Sequence, residues 1–93
     1  MGDVLNGLYG MLLERKERMP EGSYTASLLA EGRGKIASKF IEEAGEVVAA
    51  SLGEGHDRIV YETADLLYHL LVLLANEDVT LEEIARELES RRK

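Results

Sequence analysis

The stretch Tyr61–Ala75, "YETADLLYHLLVLLA", decides how this chain folds. Its apolar residues are too continuous for a helix with one broad wet side, yet Glu62, Asp65 and His69 interrupt them at helical spacing. At about 100° per residue, with Glu62 at zero, the residues from Ile59 to Leu74 that are apolar cover most of the circumference. The polar ones, Arg58, Glu62, Asp65, His69 and Asn76, share a sector about 60° wide. A helix apolar nearly all round is central in its fold or shared with a second subunit, so its narrow acidic stripe is expected to face a cleft. Tyr61 and Tyr68 fall on the packed side and are read as core. Two carboxylates one turn apart in such a place repel, and desolvation penalises each. They need a counter-charge: a bound cation, a lysine, or a proton on one of them.

Working outward, Asp57 can cap this helix, which then runs to about Asn76, and the short "GEGHD" segment before it makes the preceding helix an antiparallel neighbour. That neighbour contains "KIASKFIEEAGEVVAA" and is predicted from Lys35 to about Leu52. Its wheel gathers Lys35, Lys39, Glu42, Glu43 and Glu46 within roughly 100°, opposite Ile36, Phe40, Ile41, Ala44, Val47 and Val48. Taken alone, that pattern is an ordinary amphipathic helix with a solvated acidic face. Nearer the N-terminus, Leu5, Leu8, Tyr9, Leu12 and Leu13 recur after a possible Asp3 cap, predicting a first helix over Asp3–Glu17 that "RMPEGS" ends. "SYTASLLAEGRG" opens on capping residues and closes on glycines, predicting a helix of one or two turns. Thr80 and Glu83 predict a capping box for a last helix ending in "ESRRK", whose basic residues suit a helix C-terminus.

Strand signals are missing: there is no run of alternating β-branched residues and no Asn-Gly or Asp-Gly turn. The expected fold class is therefore all-α, a compact bundle of four main helices plus a short one, in a single domain over residues 1–93. So much apolar helix is unfavourable on a monomer, which predicts a homodimer with the Tyr61–Ala75 helix near the two-fold axis.

Composition narrows the function classes. A chain of 93 residues, 45% hydrophobic and 31% charged, suits one folded domain. With 11 Lys and Arg against 18 Asp and Glu, the net charge of −7 argues against a nucleic-acid or anionic-membrane partner. The absence of cysteine removes disulfides, thiolate metal sites and thiol nucleophiles, and makes the reducing cytoplasm the expected location. No apolar run approaches about 18 residues and the N-terminus lacks a basic-then-apolar leader pattern, so neither secretion nor membrane insertion is expected.

Glu43 and Glu46 are three residues apart, as are Glu62 and Asp65, so two antiparallel helices each present an acidic pair and the four carboxylates can converge. An all-oxygen set suits a hard cation, Mg²⁺ or Mn²⁺, and not zinc. A di-iron site needs Glu-x-x-His on two helices. Neither His56, three residues after Gly53, nor His69, three after Leu66, fits that spacing. Walker-type phosphate loops, nucleophile elbows and dinucleotide-binding glycine fingerprints are also missing.

"EEAGE" followed by "ETAD" resembles the E-E-x-x-E … E-x-x-D signature of the all-α, MazG-type nucleoside triphosphate pyrophosphohydrolases. The surrounding text, "ERKERMPEGSYTASLLAEG", "KIASKFIEEAGE", "ETADLLYHLLVLL" and "LESRR", narrows the resemblance to the phosphoribosyl-ATP pyrophosphohydrolase family, from about Leu8 to Arg92. The resemblance implies Mg²⁺-dependent hydrolysis of 1-(5-phosphoribosyl)-ATP between its α- and β-phosphates. The products would be phosphoribosyl-AMP and pyrophosphate, in the second step of histidine biosynthesis. It also implies the stand-alone form, not a fusion with the cyclohydrolase of the next step.

Carried over by position, the family pattern has Glu43, Glu46, Glu62 and Asp65 hold Mg²⁺, with Mn²⁺ an alternative, and Glu42 serve as an added ligand or water-orienting base. A triphosphate and four carboxylates share a cleft only if cations bridge them. Lys35 and Lys39 are read as phosphate contacts, the alternative being intrahelical pairing of Lys39 with Glu42 and Glu43. Ser23, Tyr24 and Thr25 are implied to form a substrate-contact segment, although helix-start chemistry also accounts for such residues. Arg15 is either a phosphate contact or a surface arginine. His69 is expected on the substrate side as a hydrogen-bond partner more than as a ligand. Two other functions fit parts of the pattern: a house-cleaning nucleotide pyrophosphatase of the same MazG type, and a non-enzymatic helical interaction module. The narrowness of the polar stripe speaks against the second.

Overall fold

Helices form wherever apolar residues recur every three or four positions, and they stop where the backbone must turn. The computed structural model describes residues 1–92 and has five of them: α1 (Gly2–Arg18), α2 (Tyr24–Glu31), α3 (Arg33–Ser51), α4 (His56–Asn76) and α5 (Leu81–Ser90). Among the described residues there is no strand. The all-α expectation holds.

The caps are partly those read from the sequence. Ser23 starts α2 by accepting a hydrogen bond from the Ala26 N–H at 3.1 Å. Thr80 and Glu83 form the full capping box of α5, with bonds of 3.1 and 2.9 Å. Asp3 and Asp57 do not cap. Met1 and Gly55 hold those positions, and the two aspartates sit in the first turns, where the helix dipole favours a negative charge. Gly55 takes φ +94°, a conformation that glycine enters without the cost a Cβ would add.

α3 and α4 run antiparallel as the most extensively packed pair, and α1 and α2 pack onto them. Tyr9, Leu12, Leu28, Ile36, Leu71, Val72 and Ala75, drawn from four helices, make the core. α4 is long and apolar enough to meet a membrane-crossing threshold, yet here it is the helix against which α1, α2 and α3 all pack. The core therefore surrounds the C-terminal half of α4 and the start of α3.

Towards the other end of the hairpin, burial departs from the helical wheels. Tyr61, read as core, is 62% exposed, and Val60 is exposed beside it. On α3, Ile41 and Val48 of the expected packed side are 70% and 58% exposed, while Glu43 of the expected wet side is only 4% exposed. The reason is which faces meet: α3 and α4 turn their acidic sectors towards each other. Their apolar flanks are left outside, whereas Tyr68, half-buried, packs against the core as expected.

Candidate active site

The facing sectors bring together all four carboxylates singled out by the sequence. Oxygens of Glu42, Glu43 and Glu46 lie within 4.8 Å of one another, as do ligand atoms of Glu43, Asp65 and His69. Glu62 joins through Glu46, whose carboxylate it adjoins closely enough to share a hydrogen bond. Glu43 and Glu62 are buried, Asp65 is half-buried, and Glu42 and Glu46 are exposed at the rim. The i,i+3 spacing on each helix and the tight Ser51–His56 connection produce this arrangement.

Electrostatically the group is strained. Burial foremost, then the adjacent carboxylates of Asp65 and Glu46, pushes the Glu43 carboxyl from 4.5 up to about 7. Glu62 is also raised, chiefly by its neighbour Glu46 and then by burial. Glu46 moves the other way, held below the usual range by hydrogen bonds from Glu62 and Glu43. A chain of carboxyls in which the buried members keep protons for the exposed one is a cluster short of positive charge.

One atom makes that shortage concrete. Glu43 Oε2 is buried and has no hydrogen-bond partner. An acceptor facing other acceptors is satisfied by a proton or a cation, and the oxygen donors around it suit a hard divalent ion. Two cationic side chains approach without filling the gap. Lys39 Nζ stands 3.6 Å from both Glu42 and Glu43, and Arg58 Nη2 donates to Glu62 Oε1 at 2.9 Å.

His69 is buried, and both its ring nitrogens are engaged. Nδ1 lies 2.8 Å from the Asp65 carbonyl oxygen, which requires a proton on that nitrogen. In the neutral ring Nε2 is then the acceptor for the Tyr24 hydroxyl at 3.3 Å. The imidazole thus holds Asp65 and Tyr24, and the carboxylates remain the open donors.

Tyr24 is exposed, whereas Thr25 is buried with its hydroxyl hydrogen-bonded to that of Tyr68. The rings of Tyr68 and His69 meet edge to face with centroids 5.0 Å apart. So "SYT" caps α2 through Ser23, ties to α4 through Tyr24 and Thr25, and comes to rest beside Asp65. Lys35 is exposed and forms no ion pair among the described residues. Arg15 pairs at 3.5 Å with Glu14 of its own helix and forms no ion pair with the cluster among the described residues. Sequence reasoning missed two participants, Arg58 and Tyr68. The signals were there: Arg58 is four residues before Glu62 in the polar sector, and a tyrosine on a packed face needs a partner for its hydroxyl.

The chain is similar to known proteins over nearly its whole length. The family profile described as Phosphoribosyl-ATP pyrophosphohydrolase matches residues 5–92. A curated phosphoribosyl-ATP pyrophosphatase of Metallosphaera sedula is 58% identical over 93 residues, covering all of both chains. One from Saccharolobus solfataricus is 50% identical over 91 residues, 98% of this chain and 97% of the relative. The histidine biosynthesis bifunctional protein HisIE of Thermotoga maritima is 54% identical over 86 residues, 92% of this chain but 44% of that longer protein.

Proposed function

Because the chain belongs to the phosphoribosyl-ATP pyrophosphohydrolase family, we propose that it hydrolyses phosphoribosyl-ATP to phosphoribosyl-AMP and pyrophosphate in histidine biosynthesis, with Mg²⁺ or Mn²⁺ held by Glu43, Glu46, Glu62 and Asp65. The observation that supports the metal role is the partnerless, buried Glu43 Oε2 among carboxylates whose protons it must otherwise share. A bound divalent cation supplies charge neutralisation along the phosphate chain and an acidified water.

The protein's own residues do the rest. Glu43 and Glu62, fixed by burial, set the floor of the site, and Glu46 and Asp65 complete it nearer the rim. Glu42, exposed beside them, orients the attacking water and accepts its proton. Lys39, and Lys35 one turn before it, meet the phosphates. His69 keeps the Tyr24 hydroxyl close to Asp65, so the "SYT" segment borders the nucleotide.

The uncovered apolar side chains Ile41, Val48, Leu52 and Val60 support a homodimer formed through the α3–α4 hairpin, and the lack of cysteine supports the cytoplasm as its compartment. Pyrophosphate release measured on phosphoribosyl-ATP beside a panel of ordinary nucleoside triphosphates tests the substrate. Preference for a plain nucleotide would defeat the assignment in favour of a house-cleaning enzyme. Glu46→Gln and Asp65→Asn should each lower metal-dependent turnover by more than about a hundredfold, beyond the usual cost of losing an outer-shell partner, with helicity intact. Full retained activity in either would remove that residue from the site.

A further inference from the structure

Arg58 enters the site so far only as the neighbour of one carboxylate, the least accessible of α4. Its Nη2 donates to Oε1 of Glu62, which is 4% exposed, at 2.9 Å. The guanidinium itself is about half exposed, stands 4.9 Å from the ring centroid of Tyr61, and comes only within 3.8 Å of Glu54. A guanidinium carries five N–H donors in a planar fork matched to carboxylate and phosphate. One short bond to Glu62 leaves most of that fork turned to solvent. Tyr61, exposed and facing the guanidinium, offers a surface on which the group can shift while keeping its cation–π contact.

The charges set up a competition. A carboxylate that ligates a divalent cation cannot give its full charge to a guanidinium as well, and the two cations repel across it. An anionic phosphate chain, rich in acceptor oxygens, resolves that conflict. We propose that Arg58 is an exchangeable counter-ion: it neutralises Glu62 in the metal-free protein and, when Mg²⁺ takes that carboxylate, turns its fork to the diphosphate portion of the substrate. This rests on the reading of the carboxylate cluster as the metal site of a pyrophosphohydrolase. It makes Arg58 a binding residue for the pyrophosphate unit, supplied from α4 as Lys39 is supplied from α3.

Calorimetric titration of Mg²⁺ into the nucleotide-free protein, followed by titration of pyrophosphate at saturating Mg²⁺, tests the exchange without any turnover. Arg58→Ala removes both the competing cation and the phosphate donor. It should bind Mg²⁺ about threefold more tightly or better, and pyrophosphate about tenfold more weakly. Arg58→Lys, which keeps charge without the fork, should fall between wild type and Arg58→Ala in both. Affinities that weaken together would mean that Arg58 merely props Glu62, and would overturn the proposal. So would a pyrophosphate affinity that does not move, or a Mg²⁺ affinity that fails to rise. Wild-type protein that binds neither Mg²⁺ nor pyrophosphate would overturn the underlying functional reading, and the proposal with it. Far-ultraviolet circular dichroism confirms that the half-exposed substitutions leave the helices intact.

Discussion

Glu43→Gln should leave the metal-free protein nearly unchanged in stability at about pH 5 and stabilise it at about pH 8. The Glu43 carboxyl titrates at 4.5 in a solvated chain and at about 7 in the fold, burial being the first cause. Between those values the folded protein binds more protons than the unfolded chain, so stability falls as pH rises. The contribution of the protonated carboxyl is complete below 4.5 and is lost as pH climbs through about 7. At 1.36 kcal/mol per unit, the loss is bounded at about 3.4 kcal/mol. The Lys39 ammonium at 3.6 Å and water reaching Glu46 screen the ionised form and bring the expected effect to about 1–2 kcal/mol. Glutamine fits the same space, cannot ionise, and offers an amide donor to Asp65 and Glu46. Urea unfolding of both proteins in excess chelator at the two pH values measures the difference directly. A variant no more stable relative to wild type at the higher pH than at the lower one would refute the argument that Glu43 is a buried, proton-hungry carboxyl. Adding Mg²⁺ should reverse the order, because a ligand that binds only the folded wild type stabilises it by mass action.

Tyr68→Phe removes the partner of the buried Thr25 hydroxyl and should cost about 1–3 kcal/mol by chemical denaturation; an unchanged midpoint would mean that Thr25 finds another partner. Thr80→Ala breaks the α5 capping box and should lower stability by about 1 kcal/mol while leaving turnover as it was, which paired melts and activity assays would check. Ile41→Lys with Val48→Lys places charges on the uncovered flank of α3 and should convert the proposed dimer to monomer in sedimentation velocity; a wild type that is already monomeric would remove the dimer, and an unaltered dimer would put the interface elsewhere.

Helix positions were readable because apolar spacing and turn residues are local properties, and five helices appear where periodicity placed them. The meeting of "EEAGE" and "ETAD" was readable too, since a short connection leaves antiparallel packing as the simple outcome. A wheel, however, fixes angles within one helix and not which neighbour each face meets. For that reason Tyr61 passed as core, and the α3 wheel taken alone put Glu43 on a solvated face, when the meeting of the two acidic sectors exposes the first and buries the second. Arg58 went unassigned, although it stands four residues before Glu62 in the same polar sector, because an i,i+4 pair within one helix is ordinarily a minor surface contact. The caps at Asp3 and Asp57 failed for a smaller reason. Side-chain preference favoured aspartate, but α1 begins a residue earlier, at Gly2 after Met1, and the glycine at 55 takes the capping position of α4 with a positive φ.

Gly32 both ends α2, donating its N–H to the Leu29 carbonyl at 3.2 Å, and starts α3, accepting from the Ile36 N–H at 3.1 Å. A single residue at φ +92° therefore separates the helix that carries Tyr24 and Thr25 from the helix that carries Lys39 and Glu43. Such a joint has no slack, and the ties from Tyr24 and Thr25 to α4 close the triangle. An inserted residue would turn one set of groups about its axis relative to the other. Descendants of this sequence can retune what the pocket accepts by exchanging side chains, but not by lengthening the chain at this corner.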